Sequence, residues 1–117
     1  MNRLIEIRSY KLKPGEGPEF HRVVEEQAIP MLERWNTDVV AHGFSAHQAD
    51  TYFLVRSYEN LADLKARQDA FYGSDEWRSG PRAAVIDKIE SYLNTVLWLS
   101  PAAIDSLREL NAAERPA

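Results

Sequence analysis

The chain has no cysteine. It can hold neither a disulfide framework nor a thiolate metal site. Positive charge is also scarce: 14 Lys and Arg stand against 18 Asp and Glu, a net charge of −4 at pH 7. Nucleic acid needs a basic face and an anionic membrane needs a basic cluster, so neither is an expected partner. No apolar run approaches the roughly 20 residues that cross a bilayer, and the first residues carry Arg3 but no apolar targeting core. The expected location is the cytoplasm. The few glycines form no phosphate-binding loop, and no Ser-His-Asp order or paired-carboxylate spacing stands out. Three histidines are scattered without a regular metal-ligand spacing, so no bound metal, haem or other cofactor is expected.

What is present reads as one globular domain over residues 1–117, its core at about 3–101 and a C-terminal helix at about 101–111. A chain of 117 residues, 44% hydrophobic and 27% charged, buries roughly two thirds of its unfolded surface. Residues 4–12 form a strand, with Leu4, Glu6, Arg8, Tyr10 and Leu12 on one face and Ile5, Ile7, Ser9 and Lys11 on the other. Pro14-Gly15 ends it. Residues 18–35 follow as an amphipathic helix with the stripe Phe20, Val23, Val24, Ala28, Met31, Leu32 and Trp35. Pro30 removes a donor inside it and predicts a kink, with Ile29 off the stripe and facing another surface such as a partner subunit. Strands at 39–48, interrupted by Gly43, and 51–58 are joined closely enough to be an antiparallel hairpin.

Asn60 caps a helix bearing Leu61, Leu64, Gln68, Phe71 and Tyr72, which Gly73-Ser74 breaks. Asp75-Glu76-Trp77 reads as a connector, and Ser79-Gly80-Pro81 restarts a helix through about Lys88. Residues 92–99 form the last strand. Ser100-Pro101 starts the terminal helix, and residues 112–117 read as a frayed tail. The order is βαββαβ plus a helix, an α+β ferredoxin-like plait with a four-stranded antiparallel sheet. Its helices cover one sheet face, while apolar residues point from both. A homodimer, two sheets packed face to face into an α+β barrel, would shield the second face.

Several local motifs fit this frame and resemble the NIPSNAP family of the dimeric α+β barrel superfamily. Glu6-Ile7-Arg8-Ser9-Tyr10 with Leu12-Lys13-Pro14-Gly15 resembles the family's opening strand and turn. Ile29-Pro30-Met31-Leu32-Glu33, Tyr58-Glu59-Asn60-Leu61-Ala62-Asp63, Asp75-Glu76-Trp77 and Leu99-Ser100-Pro101 resemble later stations of the same pattern. Arg56 departs from it, standing where the family usually has tryptophan or a large apolar residue. The resemblance implies a small-molecule cleft between sheet and helices. It also implies kinship to cofactor-independent monooxygenases and related barrel enzymes.

Within that cleft, Glu6, Arg8 and Tyr10 share one strand face. Arg8 can anchor a carboxylate or enolate and Tyr10 can donate to it. The same residues also fit a structural ion pair of Glu6 with Arg8, or with Arg56 across the sheet. His42 is the candidate proton shuttle near neutral pH, or else a hydrogen-bonded histidine near the sheet edge. His42 and His47, both placed on the second strand, face opposite ways unless Gly43 bulges. Arg56, Tyr58 and Trp77 join Glu6 as candidate ligand contacts, since an aromatic lining suits a flat organic ligand. Trp77, in a polar connector, either caps the cleft mouth or anchors the helix. The function read from these residues is that of a homodimeric small-molecule protein, either a cofactor-independent oxidative or acid/base enzyme or a non-catalytic ligand-sensing or interaction module.

Overall fold

The computed structural model describes residues 1–114. Four strands, β1 (Arg3–Leu12), β2 (Asp38–Phe44), β3 (Thr51–Tyr58) and β4 (Ile89–Leu99), form one antiparallel sheet in the order β2-β3-β1-β4. β1 therefore lies inside the sheet with covered residues on both faces, which explains apolar groups at both of its parities. The plait is α+β and ferredoxin-like, as the strand and helix order predicts.

The first crossover is α1 (Gly17–Val23), a π-helical turn at Val24–Ala28, and α2 (Ile29–Arg34). The kink expected at Pro30 is resolved as this π-turn. Proline cannot donate to the Glu26 carbonyl, and the Ile29 N–H bonds back to the Val24 carbonyl instead. Phe20, Val23, Val24, Met31 and Leu32 remain on one buried stripe. Ile29 is half-buried and packs against the same core rather than facing away from it.

α3 (Leu61–Tyr72) starts at Asn60, whose Oδ1 accepts from the Asp63 N–H at 2.8 Å. The stretch read as a connector is a helical turn, α4 (Asp75–Ser79), capped by Ser74 Oγ, which accepts from the Trp77 N–H at 3.2 Å. Gly80 ends it, because a Cβ there would collide with the Glu76 carbonyl oxygen. α5 (Arg82–Ile86) is shorter than the expected run to Lys88, and β4 begins earlier than expected, at Ile89.

β2 also differs from expectation. It ends at Phe44, so His47 sits in the connection to β3 rather than on a strand. The register shift falls between Val39 and Ala41, not at Gly43. Two successive residues there oppose one on β3. This sends Val39 to the helix-side core and Val40 with Ala41 to the opposite face.

That opposite face is not bare. α6 (Pro101–Glu114) crosses it, and Ile104 packs with Ile5, Val40, Ala41 and Val55. Arg108 fastens the helix by donating to the Val39 carbonyl and to Asp38 Oδ2, each at 3.0 Å. Residues 112–114, expected to fray, continue this helix, and 115–117 lie outside the described residues. The uncovered apolar surface is concentrated on β4, where Leu93 is 76% and Trp98 54% exposed on opposite faces of an edge strand. No helix among the described residues is long and apolar enough to cross a membrane.

Candidate functional site

Glu6 faces Arg56 directly across the β1–β3 ladder and lies two residues from Arg8 on the same face. Glu6 and Arg56 are both 0% exposed. Arg56 Nε donates to Glu6 Oε1 at 2.9 Å. Arg56 Nη2 lies 2.6 Å from the same oxygen but off the hydrogen-bond line, so Nε carries the bond and Nη2 contributes charge. The other carboxylate oxygen accepts from Asn94 Nδ2 at 2.7 Å, Gln68 Nε2 at 2.9 Å and Arg8 Nη2 at 3.2 Å. Strands β1, β3, β4 and helix α3 are thereby tied to one buried carboxylate. Burial pushes the Glu6 carboxyl up. Arg56, Gln68, Arg8 and Asn94 together outweigh this and hold it below the usual carboxylate range.

One carboxylate does not neutralise two guanidiniums, so the cluster carries a net positive charge. Tyr72 of α3 stands over it. Its hydroxyl oxygen accepts from Arg56 Nη1 at 2.8 Å and from Arg8 Nη1 at 3.4 Å. With both lone pairs engaged, the phenol has only its hydrogen to offer elsewhere. The Arg8 guanidinium lies 5.0 Å from the Tyr92 ring centre and 6.0 Å from that of Tyr72, within cation–π range of both. Arg8 Nε is buried without an acceptor.

Arg8 and Tyr72 open onto a cleft of about 780 Å³ between the β1–β4 edge and helices α3 to α5. This lies within the size range of small-molecule sites. Tyr10, Trp77, Val85, Ile86 and Ile89 supply apolar wall, Tyr92 flanks Arg8, and Gln68, Arg82, Glu90 and Ser91 complete the lining. The Tyr10 hydroxyl is pushed up to about 12, first by burial and then by neighbouring Tyr72, against the pull of Arg8 and Arg56. It is therefore a protonated hydrogen-bond donor at neutral pH. Trp77 is buried in a tilted contact with Phe71 and an edge contact with Tyr72. It is a fixed wall of the cleft, not a cap on its mouth.

The remaining candidates sit elsewhere. Glu6 and Arg56 lie behind the cleft and hold Arg8 and Tyr72 in place. Tyr58 is buried against Leu4 and Leu64, accepts from Gln68 Nε2 at 3.3 Å, and does not line the cleft. His42 lines a separate groove of about 330 Å³ beside β2, α2 and α6, with Glu25, Glu33 and Arg108. There Glu25 of the π-turn bridges His42 Nε2 at 3.2 Å and His21 Nε2 at 3.0 Å, and His21 Nδ1 meets the Tyr52 hydroxyl at 2.6 Å. Arg8 and Tyr10 thus meet on one cavity without His42. The sequence pattern puts Tyr72 and Gln68 on a helix face without marking either as a site residue, and gives no local signal for Asn94 or Arg82.

The fold has relatives among solved structures. A NIPSNAP family protein from Agrobacterium tumefaciens superposes with a TM-score of 0.77 at 18% identity, over 85% of this chain and 87% of its own. A second from that organism, of unknown function, gives 0.76 at 24% identity over 84% and 88%. A protein from Nitrosomonas europaea provisionally named an antibiotic biosynthesis monooxygenase gives 0.59 at 17% identity over 80% and 95%. At these identities the likeness is one of fold. No curated protein matches the sequence. The NIPSNAP family model matches residues 5–102, which takes in the sheet except the first two residues of β1, and the whole cleft. The chain belongs to the NIPSNAP family.

Proposed function

We propose that this is a homodimeric cytoplasmic protein whose cleft binds a small, flat organic anion such as an aromatic carboxylate, phenolate or enolate. The observation that carries the reading is the surplus guanidinium: Glu6 balances one of Arg8 and Arg56, and Arg8 faces the cleft. An anion seated there would complete the charge balance of a site otherwise walled by aromatic and aliphatic groups. Arg8 is the anchor, and Tyr10 and Tyr72 are the donors. The homodimer reading is supported by β4, whose exposed Tyr92, Leu93, Val96, Leu97 and Trp98 gather on one unpaired edge strand. A second copy is the simplest cover for that strip.

Two uses of such a cleft follow. One is turnover of the bound anion by an acid/base step or by cofactor-independent oxidation with dioxygen. The fold shared with the provisionally named monooxygenase supports it by analogy only. The other is ligand sensing without turnover. It is favoured by His42, the expected base, which faces the other groove.

The test is calorimetric titration of benzoate and 4-hydroxybenzoate into wild type, Arg8→Lys, Arg8→Ala and His42→Ala, with oligomeric state read by sedimentation. The expectation is a loss of about tenfold or more in affinity for Arg8→Ala, an intermediate loss for Arg8→Lys, and none for His42→Ala. Unchanged affinity in folded Arg8→Ala overturns the site, and a monomer at tens of micromolar overturns the dimer.

A further inference from the structure

The arginines of this chain are not distributed evenly between paired and unpaired. Arg8, Arg22, Arg34, Arg56, Arg67 and Arg108 each sit in an ion pair with a carboxylate. Arg3, Arg78 and Arg82 do not, among the described residues, and of these Arg78 and Arg82 stand together. Both line a recess of about 730 Å³ that runs on from the cleft along α4 and α5. Tyr72 and Arg82 belong to the linings of both spaces, so recess and cleft adjoin at these two side chains.

The recess lining is almost wholly polar: Tyr72, Asp75, Arg78, Ser79 and Arg82. The cleft between it and Arg8 is largely apolar, with Val85, Ile86 and Ile89. The two adjoining spaces therefore each hold a cation, Arg8 in the cleft and Arg78 in the recess, with Arg82 shared and hydrocarbon along the cleft wall. Two carboxylates also touch it. Glu90 lies 3.5 Å from Lys11 Nζ and is offset by it, whereas Asp75 faces two arginines and balances at most one. In a protein of net charge −4, a local excess of positive charge in two adjoining spaces runs against the average and selects for its complement.

We infer that the ligand is a dianion. One acidic group sits at Arg8 and Tyr72, an aromatic or alkyl body lies along α5, and a second carboxylate or phosphate sits between Arg82 and Arg78. This rests on the anion-binding reading of the cleft and extends it to a second subsite. Because Arg78 and Arg82 are solvent-exposed, the second contact contributes modestly to affinity and chiefly sets specificity.

The probes are a near-isosteric pair, 4-propylbenzoate and 4-(2-carboxyethyl)benzoate, which differ in a terminal methyl against a carboxylate. Each is titrated calorimetrically into wild-type protein and into the Arg78→Gln/Arg82→Gln double variant at low and at 0.3 M salt. The expected result is that the dianion binds about fivefold tighter than the monoanion to wild type, the scale of an exposed charge pair. That ratio falls toward one in the double variant and in high salt, because the second carboxylate then gains nothing over the methyl it replaces. Equal binding of the two probes to wild type overturns the second subsite and leaves the Arg8 site standing. A dianion preference that survives in the double variant overturns the assignment to these arginines. Failure of both probes to bind overturns the cleft reading and this one with it.

Discussion

The molecule uses one arrangement twice. On β1, Glu6 lies between Arg8 and Arg56, and on the π-turn, Glu25 lies between His21 and His42. Each is a carboxylate bridging two basic groups and each joins a helix layer to the sheet, but their surroundings differ. Glu6 is fully buried, its oxygens take four hydrogen bonds, and its partners are permanently charged. The Glu25 side chain is 43% exposed, and its partners carry charge only when protonated. The difference teaches that the same contact list can mean rigid scaffolding in one place and an adjustable surface link in the other. Desolvation decides which.

The largest effect should come from breaking the buried member. Glu6→Gln keeps shape but strands two guanidiniums, one of them wholly inside the protein, and should cost about 3–5 kcal/mol of stability. Urea unfolding at pH 7 reads this directly, and a loss below about 1 kcal/mol would mean that water reaches the cluster. The same carboxyl also sets a pH dependence of known sign. Its folded value lies below its unfolded one, so it supplies stability that is fully present above the ordinary glutamate range near 4.3 and lost as the pH falls through the folded value. The gap between wild type and Glu6→Gln should therefore narrow as the pH is lowered from 5 toward 3. A gap that stayed constant would show that Glu6 does not titrate differently on folding.

How far these two clusters could be read from the chain follows the same divide between local and distant information. The period of two along β1 placed Glu6, Arg8 and Tyr10 on one face, and strand order made Arg56 a candidate partner. Gln68 and Asn94 lie 62 and 88 residues from Glu6. They reach it only because of the β1–β4 register and the docking angle of α3, neither of which is written in a local pattern. The separation of His42 from Arg8 was hidden for a similar reason. β2 and β1 are not neighbours, since β3 lies between them, so a shared sheet face did not bring the two side chains to one cavity. Alternation on β4 gave its strand but not its exposure, because edge position is a property of the whole sheet. The π-turn was half legible: Pro30 announced a break, but whether the backbone would bend or widen depended on packing of Val24 and Ala28 against the core.

The smallest effect should come from the exposed cluster. Glu25→Gln keeps an acceptor oxygen toward one ring and turns an amide donor to the other, and removes a charge that water already screens, so it should cost less than about 1 kcal/mol at pH 7. The carboxylate lies between two rings whose centroids are 6.3 Å apart, at the solvent edge of the groove. Paired urea titrations of wild type and variant at pH 7 decide it. A penalty at pH 7 as large as that of Glu6→Gln would mean that exposure is a poor guide to which bridge holds this fold together, and the contrast between the two clusters would collapse.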